Sequence, residues 1–125
     1  MVAILGSDPF GDRLEAVIGD ERIRGRAFKI QRVASLAELS EPPGILFVAS
    51  TDRLEIERAI AAMARLPVLT VGTASGFARR GGMIEFRLTS DRRVAFDINP
   101  QAVAGAGLKM SSQLLKIARL VEPLR

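Results

Sequence analysis

Apolar positions along the chain follow two rhythms: continuous runs and helical stripes up to about residue 72, then strict alternation from residue 84. Val2–Leu5 is a continuous apolar run closed by Gly6, the pattern of a strand buried on both faces of a parallel sheet. Ser7, Asp8 and Pro9 follow, a capping oxygen and a first-turn proline. They predict a helix over residues 10–18 with Phe10, Leu14, Val17 and Ile18 turned inward. Residues 28–33 alternate but carry several polar side chains, which predicts a strand near a sheet edge. Ser35 and Glu38 have capping-box spacing and open a short helical turn over residues 36–39, stopped by Pro42 and Pro43.

Residues 44–49, GILFVA, make the clearest buried strand. Ser50, Thr51 and Asp52 then offer capping oxygens, and Ile56, Ala59, Ile60 and Met63 recur at helical spacing, with Arg53, Glu55, Glu57 and Arg58 on the solvated side. Pro67 breaks that helix and residues 68–71 form the next strand. Strands alternating with helices over short connections specify right-handed crossovers and a parallel sheet with helices on both faces.

The pattern changes at residues 72–82, where a Gly- and Arg-bearing loop replaces a helix. Beyond it Ile84, Phe86 and Leu88 alternate with polar residues, as do Val94, Phe96 and Ile98, predicting an antiparallel hairpin turning near Asp91. Pairing like faces places Leu88 opposite Val94, Phe86 opposite Phe96 and Ile84 opposite Ile98. On the polar face Glu85 then meets Asp97. Such a like-charge pair needs compensation, with Arg87, Arg79 and Arg80 as candidates. Paired carboxylates can also hold a cation or serve catalysis, although an ion-paired surface is the simpler reading. Asn99 and Pro100 start a small helix ended by Gly105 and Gly107. Ser111 and Ser112 cap a last helix with Leu114, Ile117, Ala118 and Val121 inward, Lys116 and Arg119 outward, and Pro123 at its end. The fold class is therefore α/β: a three-layer, Rossmann-like sheet, parallel in its N-terminal part and closed by an antiparallel C-terminal hairpin, with helices on both faces.

Length makes the 125 residues one domain. No apolar run reaches the roughly 18–20 residues of a membrane-spanning helix. The net charge of +4 raises nucleic-acid binding, but the basic residues are interspersed with acids and the aromatic residues are few and all Phe, so no nucleic-acid partner is expected. The chain has no Cys and no His, and neither Tyr nor Trp. Thiolate chemistry, the usual general base near neutral pH and the commonest zinc ligands are thereby removed, and neither a metal nor a cofactor is expected. No Ser has a His to activate it, and a Ser111–Lys109 dyad is no more than a formal possibility.

The loop within residues 67–86, PVLTVGTASGFARRGGMIEF, holds the remaining candidates. Gly72, Gly76, Gly81 and Gly82 permit close backbone approach, while Arg79 and Arg80 add fixed positive charge. It reads as an anion or nucleotide site, as a structural loop that lays Phe77 and Met83 into the core, or as a protein-docking surface anchored by Phe and Arg. A strand rather than a helix follows it, which weakens the anion reading. The turn at Ser7 does open a helix, but it lacks the spacing of a phosphate-binding loop.

The segments VLTVGTASGFARRGGMIEF (68–86), VAFDIN (94–99) and AGLKMSSQLLKIA (106–118), with ILGSDPFGDRLE near the start and LAELSEPPGILFVAS in the middle, resemble the YfiR-like family of bacterial periplasmic proteins. The resemblance implies a periplasmic, non-enzymatic α/β regulator. Its partner would be a membrane signalling protein, a diguanylate cyclase or a sensor kinase, with the level of cyclic-di-GMP as output. It also implies self-association into a homo-oligomer and no insertion of the domain itself into the membrane. A small-molecule or anion-sensing input domain is the alternative, with Arg79, Arg80, Phe77 and Ser7 as contact residues under either reading. Members of the family usually begin with a signal peptide and an aromatic-rich helix. Neither is visible before Val2, so the chain is expected to be a shortened form. Pro43 and Gly44 stand where the family often has Cys-His, Thr73 where an acidic residue is common, and Gln113 where Lys is common.

Overall fold

A computed structural model describes residues 2–6, 22–23, 26–27, 30–91, 94–110 and 112–121. In chain order its strands are β1 (Val2–Leu5), β2 (Arg22–Ile23), β3 (Arg26–Ala27), β4 (Ile30–Val33), β5 (Ile45–Val48), β6 (Leu69–Gly72), β7 (Ile84–Leu88), β8 (Val94–Ile98) and β9 (Arg119–Leu120). The helices are α1 (Arg53–Met63), α2 (Pro100–Gly105) and α3 (Ser112–Ile117), with a 3-10 turn at Leu36–Glu38.

Seven strands form one mixed sheet in the order β4-β1-β5-β6-β7-β8-β9, and β2 and β3 make a separate antiparallel ribbon that the sequence pattern does not announce. Pairing is parallel from β4 through β1, β5 and β6 into β7, antiparallel between β7 and β8, and parallel again between β8 and β9. The hairpin register is the predicted one, with Ile84 opposite Ile98, Glu85 opposite Asp97, Phe86 opposite Phe96 and Leu88 opposite Val94. The Phe86 and Phe96 rings meet edge to face, with centroids 5.0 Å apart.

Side chains alternate across a strand, so each core strand feeds two cores. On one face Ala3, Leu5, Val33, Leu46 and Val48 pack beneath Ile56, Ala59 and Met63 of α1, together with Phe77. On the other, Ile4, Phe47, Val71, Met83, Ile84 and Ile98 pack against Val103 and Ala106 at α2. Each fully buried aliphatic side chain contributes about 1.5–3 kcal/mol relative to an exposed one. The capping signals act as their chemistry dictates. Asp52 accepts from the Leu54 amide at the start of α1, and Asn99 accepts from the Ala102 amide at the start of α2, where Pro100 occupies the first turn. The Ser35 hydroxyl accepts from the Ala37 amide, and the Glu38 carboxylate accepts from the Ala34 amide, the reciprocal exchange of a capping box shifted by one residue.

Two expectations change. The last helix stops at Ile117 instead of running on to Pro123, and Arg119–Leu120 becomes a strand whose pairing is continued by the Val121 amide donating to the Ile98 carbonyl. Ile117, read as inward, is 70% exposed, while Val121 is buried from a non-helical position. Sheet pairing has overridden the helical periodicity. Arg119, read as a solvated helix residue, faces the sheet's polar side instead. The predicted helix over residues 10–18, its Ser7 turn, and the Phe28 start of the edge strand lie outside the described residues, as does the Ser111 cap.

Candidate functional site

The sheet face that carries α1 changes character from β5 to β9. Leu46 and Val48 are apolar, but their lateral neighbours on this face run through Thr70 and Gly72, Glu85, Asp97 and finally Arg119. An alternating sequence in β7 and β8 puts Glu85 and Asp97 inward on this side, and both are buried. A buried carboxylate needs several donors to stay ionised. The two residues meet that need in different ways.

Glu85 is satisfied by the backbone of the loop above it. Its Oε1 accepts from the Ala78 amide at 3.0 Å, and its Oε2 accepts from the Gly76 amide at 3.3 Å. The loop is folded on itself by further bonds, from Phe77 N to the Ala74 carbonyl, Arg80 N to the Gly76 carbonyl and Gly82 N to the Phe77 carbonyl. Asn99 Nδ2 donates to the Ala78 carbonyl at 2.8 Å, and Thr70 Oγ1 accepts from the Met83 amide at 3.0 Å, so the start of α2 holds the middle of the loop and β6 holds its C-terminal end. Below it the Phe77 ring lies between Gly72 and Gly82. A Cβ at Gly72 would come within 2.8 Å of the ring, and one at Gly82 within 2.1 Å. The glycines are there because the aromatic ring takes the space of their side chains.

Asp97 is satisfied by arginines. Arg87 Nε donates to its Oδ1 at 2.9 Å; Arg119 Nε donates to Oδ1 at 3.1 Å, and Arg119 Nη2 to Oδ2 at 2.6 Å. Burial opposes ionisation of this carboxyl, but hydrogen bonds and charge from Arg119 and then Arg87 outweigh it. The group is held below its ordinary range. The same hydrogen bond and charge from Asp97 raise Arg119 above its ordinary value.

The candidate residues are therefore sorted by position. Phe77 is 1% exposed and serves as the loop's anchor, so it is a core residue beneath the loop and not the exposed contact residue expected from the sequence. Arg79 is exposed on the loop, while Arg80 is partly covered and lies 3.8 Å from Glu57 of α1. Neither pairs with Glu85 or Asp97, and of the proposed compensators only Arg87 does so. Ser7 lies outside the described residues. Sequence reasoning missed Arg119, Thr70 and the Asn99 bond to the loop. A buried acid facing another across a hairpin signalled that donors were required, but not which residues would supply them.

Among the described residues no cluster of three or more His, Cys, Asp or Glu is placed to hold a metal ion, and every buried side-chain nitrogen and oxygen has a hydrogen-bond partner. No described helix is long and apolar enough to cross a membrane. Chemically, the arrangement holds a cationic loop rigidly against the sheet.

A family model described as YfiR/HmsC-like matches residues 1–119. A comparison with curated proteins gives no significant match. The chain belongs to the YfiR/HmsC-like family, known as periplasmic regulators of cyclic-di-GMP signalling.

Proposed function

We propose that this domain is a non-enzymatic periplasmic regulator that binds and inhibits a membrane signalling protein, a diguanylate cyclase, using the 73–82 loop as part of its contact surface. The observation that carries this reading is the Glu85 carboxylate beneath the loop. The inward amides of a Gly-rich loop are the groups that would cradle a phosphate or other anion. Two of them, Gly76 and Ala78, are already spent on an internal anion. Anion sensing by this loop thus lacks its strongest backbone donors. What the loop does present is a pre-organised surface with Arg79 outward, and rigid arginine-bearing surfaces suit protein recognition because little entropy is lost on binding. Family membership supports the choice of partner class.

The test is binding of the whole chain to the purified periplasmic region of a diguanylate cyclase from the same genome, followed by surface plasmon resonance. Cellular cyclic-di-GMP is measured alongside, with and without the protein. Saturable binding, weakened by Arg79→Glu, and a fall in cyclic-di-GMP are expected. No binding and no change in cyclic-di-GMP would refute the proposal.

A further inference from the structure

The loop does not stand alone, because its outer flank runs beside the middle of α1. Arg80 reaches Glu57 across this seam, and a Cβ on Gly81 would lie 3.0 Å from the Ile60 side chain. Where the two elements diverge, a cavity of about 250 Å³ opens, lined by Thr51, Arg53, Ile56, Ser75, Phe77 and Arg80. Its floor is apolar, formed by half-buried Ala74 over the buried Ile56 and Phe77, and its rim is polar and cationic.

Arg53 Nε lies 3.3 Å from Glu57 Oε1, and Arg80 Nη1 lies 3.8 Å from the same oxygen. Two guanidinium groups therefore share one carboxylate, leaving an excess of one positive charge at the rim. The partners are loosely held: 72% of the Arg53 side chain, 48% of Glu57 and 30% of Arg80 remain exposed. Exposed pairs of this kind contribute little to stability, so a second carboxylate can enter without disturbing the fold.

We infer that the groove between α1 and the 73–82 loop is a docking site for an acidic segment of a protein partner, with Arg53 and Arg80 receiving a carboxylate and Glu57 holding its place in the free protein. The inference rests on the regulatory reading above and names the chemistry of the partner's contact. The two-sided lining favours a peptide over a free anion. A Glu side chain within a peptide brings its own methylenes to the apolar floor at Ala74, whereas a small anion would leave that floor uncovered and would find the Gly76 and Ala78 amides already occupied. Arginine forks suit carboxylates through paired, charge-assisted bonds.

The probe is a fluorescently labelled hexaglutamate peptide, titrated by anisotropy at low salt against the full chain and its variants. Arg53→Gln with Arg80→Gln is expected to weaken binding about tenfold, while Glu57→Gln, which removes the internal competitor, strengthens it. A charge-matched control, Arg65→Gln with Lys109→Gln, leaves it unchanged. Strengthening by Glu57→Gln is a result that a folding defect cannot imitate. Equal affinity of the wild type, the arginine double variant and the control would overturn the site, and displacement of the peptide by equimolar inorganic phosphate would overturn the peptide as its occupant. The cyclase region is then tested with the same variants. Failure of that region to bind the wild type while the peptide shows the expected pattern removes the regulatory reading and keeps the acidic groove.

Discussion

Arg119 Nη2 lies 2.6 Å from Asp97 Oδ2, joining the C-terminal edge strand to its neighbour β8 through a carboxylate that is only 4% exposed. β9 is two residues long, too short for ladder hydrogen bonds alone to hold it in place. The ion pair and the burial of Val121 fix the end of the described chain, and the same carboxylate orients Arg87 beside Glu85.

Removing the acid and removing the cation therefore have unequal effects. Asp97→Asn keeps the shape but leaves two arginine forks facing a neutral amide, and we expect a loss of about 1–3 kcal/mol in urea unfolding. Arg119→Gln lowers the urea midpoint as well. In the doubly substituted chain the two effects add to less than their sum, because the residues share one interaction. Strict additivity would show that Arg119 stabilises the fold by some other route.

Glu85→Gln tests the link between sheet and loop. A carboxylate can accept from both the Gly76 and Ala78 amides; a carboxamide has one oxygen and turns an NH₂ group on the other amide. The expected cost is about 1–3 kcal/mol, with faster amide hydrogen exchange confined first to residues 74–82. Exchange rising equally across the whole sheet would mean that Glu85 supports the core and not the loop.

How much of this was legible beforehand depended on whether the signal was local. The Phe86–Phe96 register, the Asp52 and Asn99 caps and the two-faced β5 follow from period, branching and capping chemistry within a few residues of each element. Arg119 was misread because a helical stripe and a two-residue strand look alike over so few positions, and the partner that decides between them, Asp97, is 22 residues away. The loop's position could be read only in part. Its glycines signalled a close approach, yet that Phe77 fills the space above both Gly72 and Gly82 depends on how the loop folds over the sheet.

That packing makes two Gly→Ala substitutions diverge. At Gly82 a new methyl would sit 2.1 Å from the Phe77 ring, and expelling the ring unseats the loop. We expect a loss of about 3 kcal/mol or more, at or beyond the upper end of ordinary overpacking. Gly105, the last residue of α2, faces open space, with nothing within 4 Å of where a Cβ would stand, so Gly105→Ala is expected to be neutral or to stabilise by up to about 1 kcal/mol. Thermal unfolding of the two variants side by side measures the difference, and similar melting temperatures would contradict the placement of Phe77.

The Asp97 cluster also sets an acid limit on stability. Its carboxyl titrates lower in the folded protein than the ordinary value of 3.8 that applies to the unfolded chain. Above that value both states are ionised and the whole contribution of the pair is present. As pH falls below it, the unfolded chain takes up the proton first while the folded chain resists, so folding becomes progressively less favourable until the lowered folded pKa is passed. Urea midpoints of the wild type should hold steady from neutral pH down to about 4 in their Asp97-dependent part and then decline. Asp97→Asn removes that part, so the gap between wild type and variant is widest near neutrality and narrows in acid. A gap that stays constant from neutral pH to pH 3 would show that Asp97 carries no preferential charge in the folded state, and the two-arginine clamp would have to be abandoned.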